Sequence, residues 1–280
     1  MAAVSLGIGA ALSWGLADFL GGVRARRLSL AAVLLVSQLT GLAAAAAVVA
    51  IVQPDPPAVA DILPALGAGV CQLAGIAALY RALATGTMSV ISPVSASGAA
   101  VIPLIVGVAT GERPGGLQFA GMAAAFVGVA LASGSIAPGG GAPPRQPLAL
   151  VAVAALGFGG FYVGMNAAVD GANPFWALLA ARAAAGAALV IVLIALRPAI
   201  GAGPAHLPAL ALIGLLDVGA NACFTLGTDT GLLSVVAVLA SLYPVTTVVL
   251  ARGVLGERLA RAQAVGVTVA LAGVAMIAAG

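Results

Sequence analysis

Arg182 and Asp217 each stand near the middle of a long uncharged stretch of about 20 residues. A charge at bilayer depth costs at least ~2.5–3.5 kcal/mol, so such a group points to a function or to a partner. Paired between adjacent helices, the two relieve each other. They read either as a buried structural ion pair or as a pair facing a solute cavity. A desolvated Asp217 could also titrate and carry protons. Asn221 follows Asp217 by one turn on the same helix face. Gln38 and Gln72 put amides at comparable depth, as interhelical hydrogen-bonding groups or as solute ligands. Asp18 lies one turn after Trp14 and close to Arg24. It is either a solvated carboxylate at the membrane boundary or half of a cavity-lining Trp14/Asp18 pair. The indole offers an apolar face and an N–H donor, which suits an amphipathic solute. Tyr162 suits the same role or plain packing, whereas Trp176 reads as an interfacial anchor and Asn166 is the weaker candidate.

Two further segments combine proline with hydroxyls: Ser92, Pro93, Ser95, Ser97 and Pro103, then Ser241, Tyr243, Pro244 and Thr246. Proline removes a backbone hydrogen bond and kinks a helix. Carbonyls freed at a kink are tolerated where they are buried or line a cavity. Paired kinks at corresponding depths therefore point to a solute path, Ser92 and Tyr243 included. Other chemistries lack their residues. His206, the only histidine, sits in a Gly/Pro-rich loop, and no His-Glu-x-x-His occurs. Cys71 and Cys223 lie inside apolar stretches and read as small hydrophobes, not as a disulfide or metal pair. No P-loop pattern supports direct ATP drive, and no cofactor is implied.

The elements that position these residues follow from composition. Of 280 residues, 62% are hydrophobic and 7% charged, against about 25% charged in an ordinary soluble domain. That excludes a cytosolic globular enzyme and a disordered protein. The net charge of +3 comes from scattered Arg with no Lys, too sparse for a nucleic-acid face. Apolar runs of ~20 residues without strand alternation are membrane helices, not barrel strands. About ten spans are expected, near 3–23, 29–52, 62–84, 88–108, 117–135, 148–168, 174–196, 208–228, 233–251 and 262–280. The first lacks a basic leading region and reads as a span, not as a cleaved signal peptide.

The most polar interval, Pro138 to Pro147, lies near the centre of the chain and is rich in Gly and Pro, as a linker would be. The halves on either side resemble each other. At an offset of 145 residues, Thr85-Gly86 falls on Thr230-Gly231, Ser89-Val90 on Ser234-Val235 and Gly111-Glu112-Arg113 on Gly256-Glu257-Arg258. Gln118, Gly121, Gly128 and Val129 fall on Gln263, Gly266, Gly273 and Val274, and Gln72 on Asp217. Further upstream, Trp14-Gly15 lies near Phe158-Gly159 and Gln38 near Arg182. The Glu-Arg pairs read as structural helix-start carboxylates. The expected organisation is a first repeat at 1–135, a linker at 136–147 and a second repeat at 148–280. Five spans per repeat is an odd number. The second half then enters the membrane from the opposite side, giving an all-α membrane protein of two inverted five-helix repeats.

These residues resemble the EamA-type proteins of the drug/metabolite transporter superfamily. The stretches that carry the resemblance are Trp14-Gly15-Leu16-Ala17-Asp18-Phe19, Tyr80-Arg81-Ala82-Leu83-Ala84-Thr85-Gly86, Ser89-Val90-Ile91-Ser92-Pro93, Leu242-Tyr243-Pro244-Val245-Thr246-Thr247 and both Gly-Glu-Arg triplets. The resemblance implies a ten-helix transporter of small organic solutes, such as amino-acid-like metabolites or amphipathic drugs. The chain departs from the family at Gln38, where an Arg is often seen, and retains it at Arg182. The leading expectation is an exporter working by alternating access around a site between the repeats. A lipid-linked substrate flippase and a membrane-embedded enzyme are the alternatives. Its partners would be the solute and membrane lipid, with no nucleic acid and the oligomeric state left open. It would sit as a multi-pass protein in the plasma or inner membrane. Arg24, Arg26, Arg27, Arg81, Arg145, Arg197, Arg252, Arg258 and Arg261 fall on one side and Arg113 on the other. By the positive-inside rule, both termini lie outside the cytoplasm.

Overall fold

The computed structural model describes residues 2–85, 88–132, 145–255 and 261–279. Every regular element among them is helical. The helices are α1 (Ala2–Ala25), α2 (Leu30–Val52), α3 (Val59–Thr85), α4 (Met88–Ala109), α5 (Gly116–Ala132) and α6 (Arg145–Val169). They continue with α7 (Pro174–Leu196), α8 (Leu207–Thr230), α9 (Leu233–Ala240), α10 (Tyr243–Leu255) and α11 (Arg261–Ala279). Each of the ten expected apolar segments lies on a helix, and the ninth is divided between α9 and α10. Among the described residues, seven helical segments are long and apolar enough to cross a membrane. Large apolar side chains such as Ile51, Ile105, Ile191 and Leu196 are exposed, which water would penalise and lipid would not. Most of the expected linker, residues 136–144, lies outside the described residues, as does Gly256-Glu257-Arg258. Helix α6 begins at Arg145, inside the expected linker.

The helix ends show why the chain breaks where it does. Ser29 caps α2 by accepting from the Ala32 N–H at 3.3 Å, and Asn173 caps α7 by accepting from Phe175 at 3.0 Å. Both helices stop at a left-handed residue followed by proline: Gln53 (φ 50°) before Pro54, and Arg197 (φ 45°) before Pro198. Proline cannot continue the hydrogen-bond ladder, so the preceding residue ends it.

The two proline segments are built differently. Helix α4 runs unbroken from Met88 to Ala109 through Pro93, whereas the ninth segment breaks at Ser241-Leu242. There the ladder tightens, with Leu242 N donating to Leu239 O at 3.2 Å and Val245 N to Leu242 O at 2.9 Å. Pro244 has no N–H and stands in the first turn of α10, where none is needed. The equivalent first-half position is Ala99, so no matching break is dictated there.

Packing repeats with the halves exchanged. Helix α3 lies along α6, and its counterpart α8 lies along α1; α7 packs on α3 and α2 on α8; α4 packs on α6, and α9 with α10 on α1. Two close approaches lock this arrangement. Gly69 of α3 sits against the Ala181 backbone of α7, and Gly214 of α8 against the Ser37 backbone of α2. A Cβ at either glycine would meet a carbonyl. The next residues in each chain segment, Arg182 and Gln38, are thereby brought face to face. Helices α5 and α11 run antiparallel: Gly128 faces Gly266 and Ala270, while Gly273 faces Gly121 and Ala125.

Candidate functional site

Five helices deliver a buried polar cluster to the centre of the molecule. Asp217 of α8 accepts from Arg182 of α7 through Oδ2 at 2.7 Å and from the Trp14 indole of α1 through Oδ1 at 3.1 Å. The same indole N–H also points to Asn221 Oδ1 at 3.0 Å, which accepts from Gln72 Nε2 of α3 at 2.9 Å. Arg182 donates a second bond to Gln38 Oε1 of α2 at 3.1 Å. Every one of these residues is buried, and Arg182 is wholly enclosed. The guanidinium and carboxylate thus relieve each other's desolvation, and the amides accept or donate where the pair leaves off. Several atoms stay unsatisfied among the described residues: Gln72 Oε1, Asn221 Nδ2, and Nε and Nη2 of Arg182. Buried orphans of this kind mark places for water or for a polar ligand.

An aromatic cluster flanks this network. Trp14 lies 5.7 Å from Tyr162 and 6.2 Å from Phe161, the latter edge to face. Tyr162 stacks on Phe224 at 4.6 Å. A narrow cavity opens beside it, lined by Trp14, Asp18, Ile76, Phe158, Tyr162, Asp217 and Tyr243. It has room for about one water molecule. The Tyr243 hydroxyl faces those of Ser92 and Ser95 across α4. The walls follow the repeat: Phe158 is the second-half equivalent of Trp14, Tyr162 of Asp18, and Asn221 of Ile76.

All ten residues singled out from the sequence are buried in this region. Trp14, Asp18, Tyr162, Asp217 and Tyr243 line the cavity; Gln38, Gln72, Arg182 and Asn221 form the network behind it; Ser92 lies beside Tyr243. Asp18 is 6% exposed and so is no solvated boundary carboxylate. Asn166 is only half-buried. Trp176 donates to the Pro54 carbonyl at 3.1 Å, tying α7 to the loop after α2. Phe158, Ile76, Phe161 and Phe224 were missed. The repeat offset pointed to the first two, while nothing distinguishes the last two from ordinary apolar residues. Among the described residues no group of His, Cys, Asp and Glu could hold a metal ion, and both cysteines are free.

An all-helical body with membrane-length apolar segments and a buried polar centre defines a multi-pass membrane protein. The EamA-like transporter family matches it twice, at residues 1–134 and 146–279, and the chain belongs to that family of membrane transporters for small solutes. No curated protein matches the chain. Of the 23 solved chains that match, one crystal structure described only as that of a protein aligns over 98% of this chain and 95% of its own. The two share 19% identity at a TM-score of 0.70, a likeness of fold.

Proposed function

We propose that this chain is a secondary transporter exporting small organic solutes, amino-acid-like metabolites or amphipathic compounds. Ten membrane crossings form two inverted five-helix repeats, which rock around a shared midplane site. One observation carries the reading: a buried polar and aromatic centre built by both halves from equivalent positions, with a cavity between them. The antiparallel run of α5 against its counterpart α11 supports inversion, because a twofold axis relating antiparallel helices lies across them. In this conformation the cavity is closed down to about one water, as an occluded state requires. Trp14, Asp18, Tyr162, Asp217 and Tyr243 contact the solute, with Ser92 beside them. Gln38, Gln72, Arg182 and Asn221 hold that surface in place and reach the solute when the cavity opens. The Arg-rich loops are cytoplasmic, which places the outer ends of α1 and α11 outside.

The test is solute flux by the purified chain in sealed liposomes. Counterflow of at least one small organic solute, reduced at least ~10-fold by Trp14→Ala, is expected. Absence of flux over a broad panel defeats the proposal, and chemical alteration of a lipid replaces it with an enzyme.

A further inference from the structure

The central cavity contains more acid than base. Asp217 is matched by Arg182 and by the Trp14 N–H. Asp18 is not: it lines the cavity, is more than nine-tenths buried, and has no hydrogen-bond or salt-bridge partner among the described residues. An isolated buried carboxylate is costly unless something compensates it. Around it stand Trp14, Phe158, Tyr162 and Tyr243, four aromatic rings in a wall of seven residues. Aromatic faces attract cations, most strongly where water is excluded. Arg182 is not part of that wall, and one of its terminal nitrogens is already shared between Asp217 and Gln38. A solute carboxylate therefore finds no cation on that wall among the described residues, the unpaired Nε and Nη2 of Arg182 lying behind it, whereas a solute ammonium finds the Asp18 carboxyl and aromatic side chains.

We infer that the transported solute is an organic cation, an amine carrying an apolar or aromatic body, with Asp18 as its counter-ion. This rests on the transporter reading above and narrows it: amines are preferred to zwitterions and to acids. Tyr162, the repeat equivalent of Asp18, gives the opposite wall a neutral ring, so the site holds one such charge rather than a symmetric pair.

Three probes with one phenyl body separate the possibilities: phenethylamine (cation), phenylalanine (zwitterion) and 3-phenylpropanoate (anion). Binding to the purified full chain in detergent micelles is measured by calorimetry at neutral pH. The amine is expected to bind at least ~10-fold more tightly than either other probe, the loss of one charge-assisted contact. Asp18→Asn, which keeps the shape and removes the charge, is expected to abolish that preference, and Asp18→Glu to retain it. Equal or tighter binding of phenylalanine or phenylpropanoate overturns the inference, as does no binding of the amine. Should Asp18→Asn fail to fold, the comparison of probes on the unaltered chain still decides. Liposome flux keeps the two readings apart. Selective amine binding without flux of any solute sustains the cation site and defeats the transporter. Flux of anions with no amine preference does the reverse.

Discussion

At the scale of single residues, Arg182 and Asp217 raise the question of whether a buried pair serves the fold or the solute. Removing one partner of such a pair leaves an uncompensated charge and costs about 3–5 kcal/mol, whereas apolar replacement of both is often neutral. Arg182→Ala should therefore lower both the thermal unfolding midpoint and flux. The double variant Arg182→Met with Asp217→Leu should recover the midpoint in detergent while flux stays at background. Recovery of flux along with stability would make the pair purely structural. The pairing was legible in the sequence because two opposite charges at membrane depth have few ways to survive. Its neighbours were less so. The Trp14–Asp217 bond joins residues 203 apart, and it depends on the rotation of α1 about its axis, which a nearly uniformly apolar helix does not encode. For the same reason the burial of Asp18 was open, since only the packing of α1 against α8 and α10 turns it inward.

At the scale of elements, the helix junctions hold information that pattern alone misread. Gly111-Glu112-Arg113 read as a helix-start signal, and the structure gives it to a different helix. Gly111 adopts φ 104°, a left-handed conformation that glycine accepts at no steric cost, and Glu112 N closes the turn onto Gly107 O at 2.9 Å. The turn carries the Glu112 carboxylate to the start of α9, in the other half. There it accepts from the N–H groups of Leu233 at 2.6 Å and Ser234 at 3.1 Å. Leu232, the residue that would ordinarily cap α9, has no side-chain oxygen to offer, so the carboxylate supplies the cap and meets the positive end of the helix. Helix α5 is served instead by Gln118, whose Oε1 accepts from the Gly115 N–H at 2.9 Å. Glu112→Ala should cost about 1–2 kcal/mol, read as a lower unfolding midpoint, and Glu112→Gln should cost less because it retains an acceptor. An unchanged midpoint in Glu112→Ala would mean that water caps α9 equally well.

At the scale of the whole molecule, the repeat was legible because a few polar residues recur at one offset within a low-complexity background. The structure extends it to features that composition hides. The αL–proline stops after α2 and α7 and the reciprocal glycine contacts of α3 with α7 and α8 with α2 are examples. The direction of the second half is a different matter, and it rests on the parity of spans and the antiparallel α5–α11 contact. Equivalent loops test it directly. Arg26 follows α1 and Asp170 follows α6; the two occupy matching places in the halves, and both are exposed. Were the halves parallel, the two positions would face the same compartment; inverted, they face opposite ones. Single cysteines at Arg26→Cys and Asp170→Cys, in a chain carrying Cys71→Ala and Cys223→Ala, are to be labelled in intact cells with a membrane-impermeant maleimide. Asp170→Cys should react at once, and Arg26→Cys only after permeabilisation, because the proposed orientation keeps the Arg-bearing loops in the cytoplasm. The reverse pattern would keep the inversion and turn the protein over. Labelling of both from one side would remove the inversion itself, and with it the shared axis on which the cavity walls of α1 and α6 are equivalent.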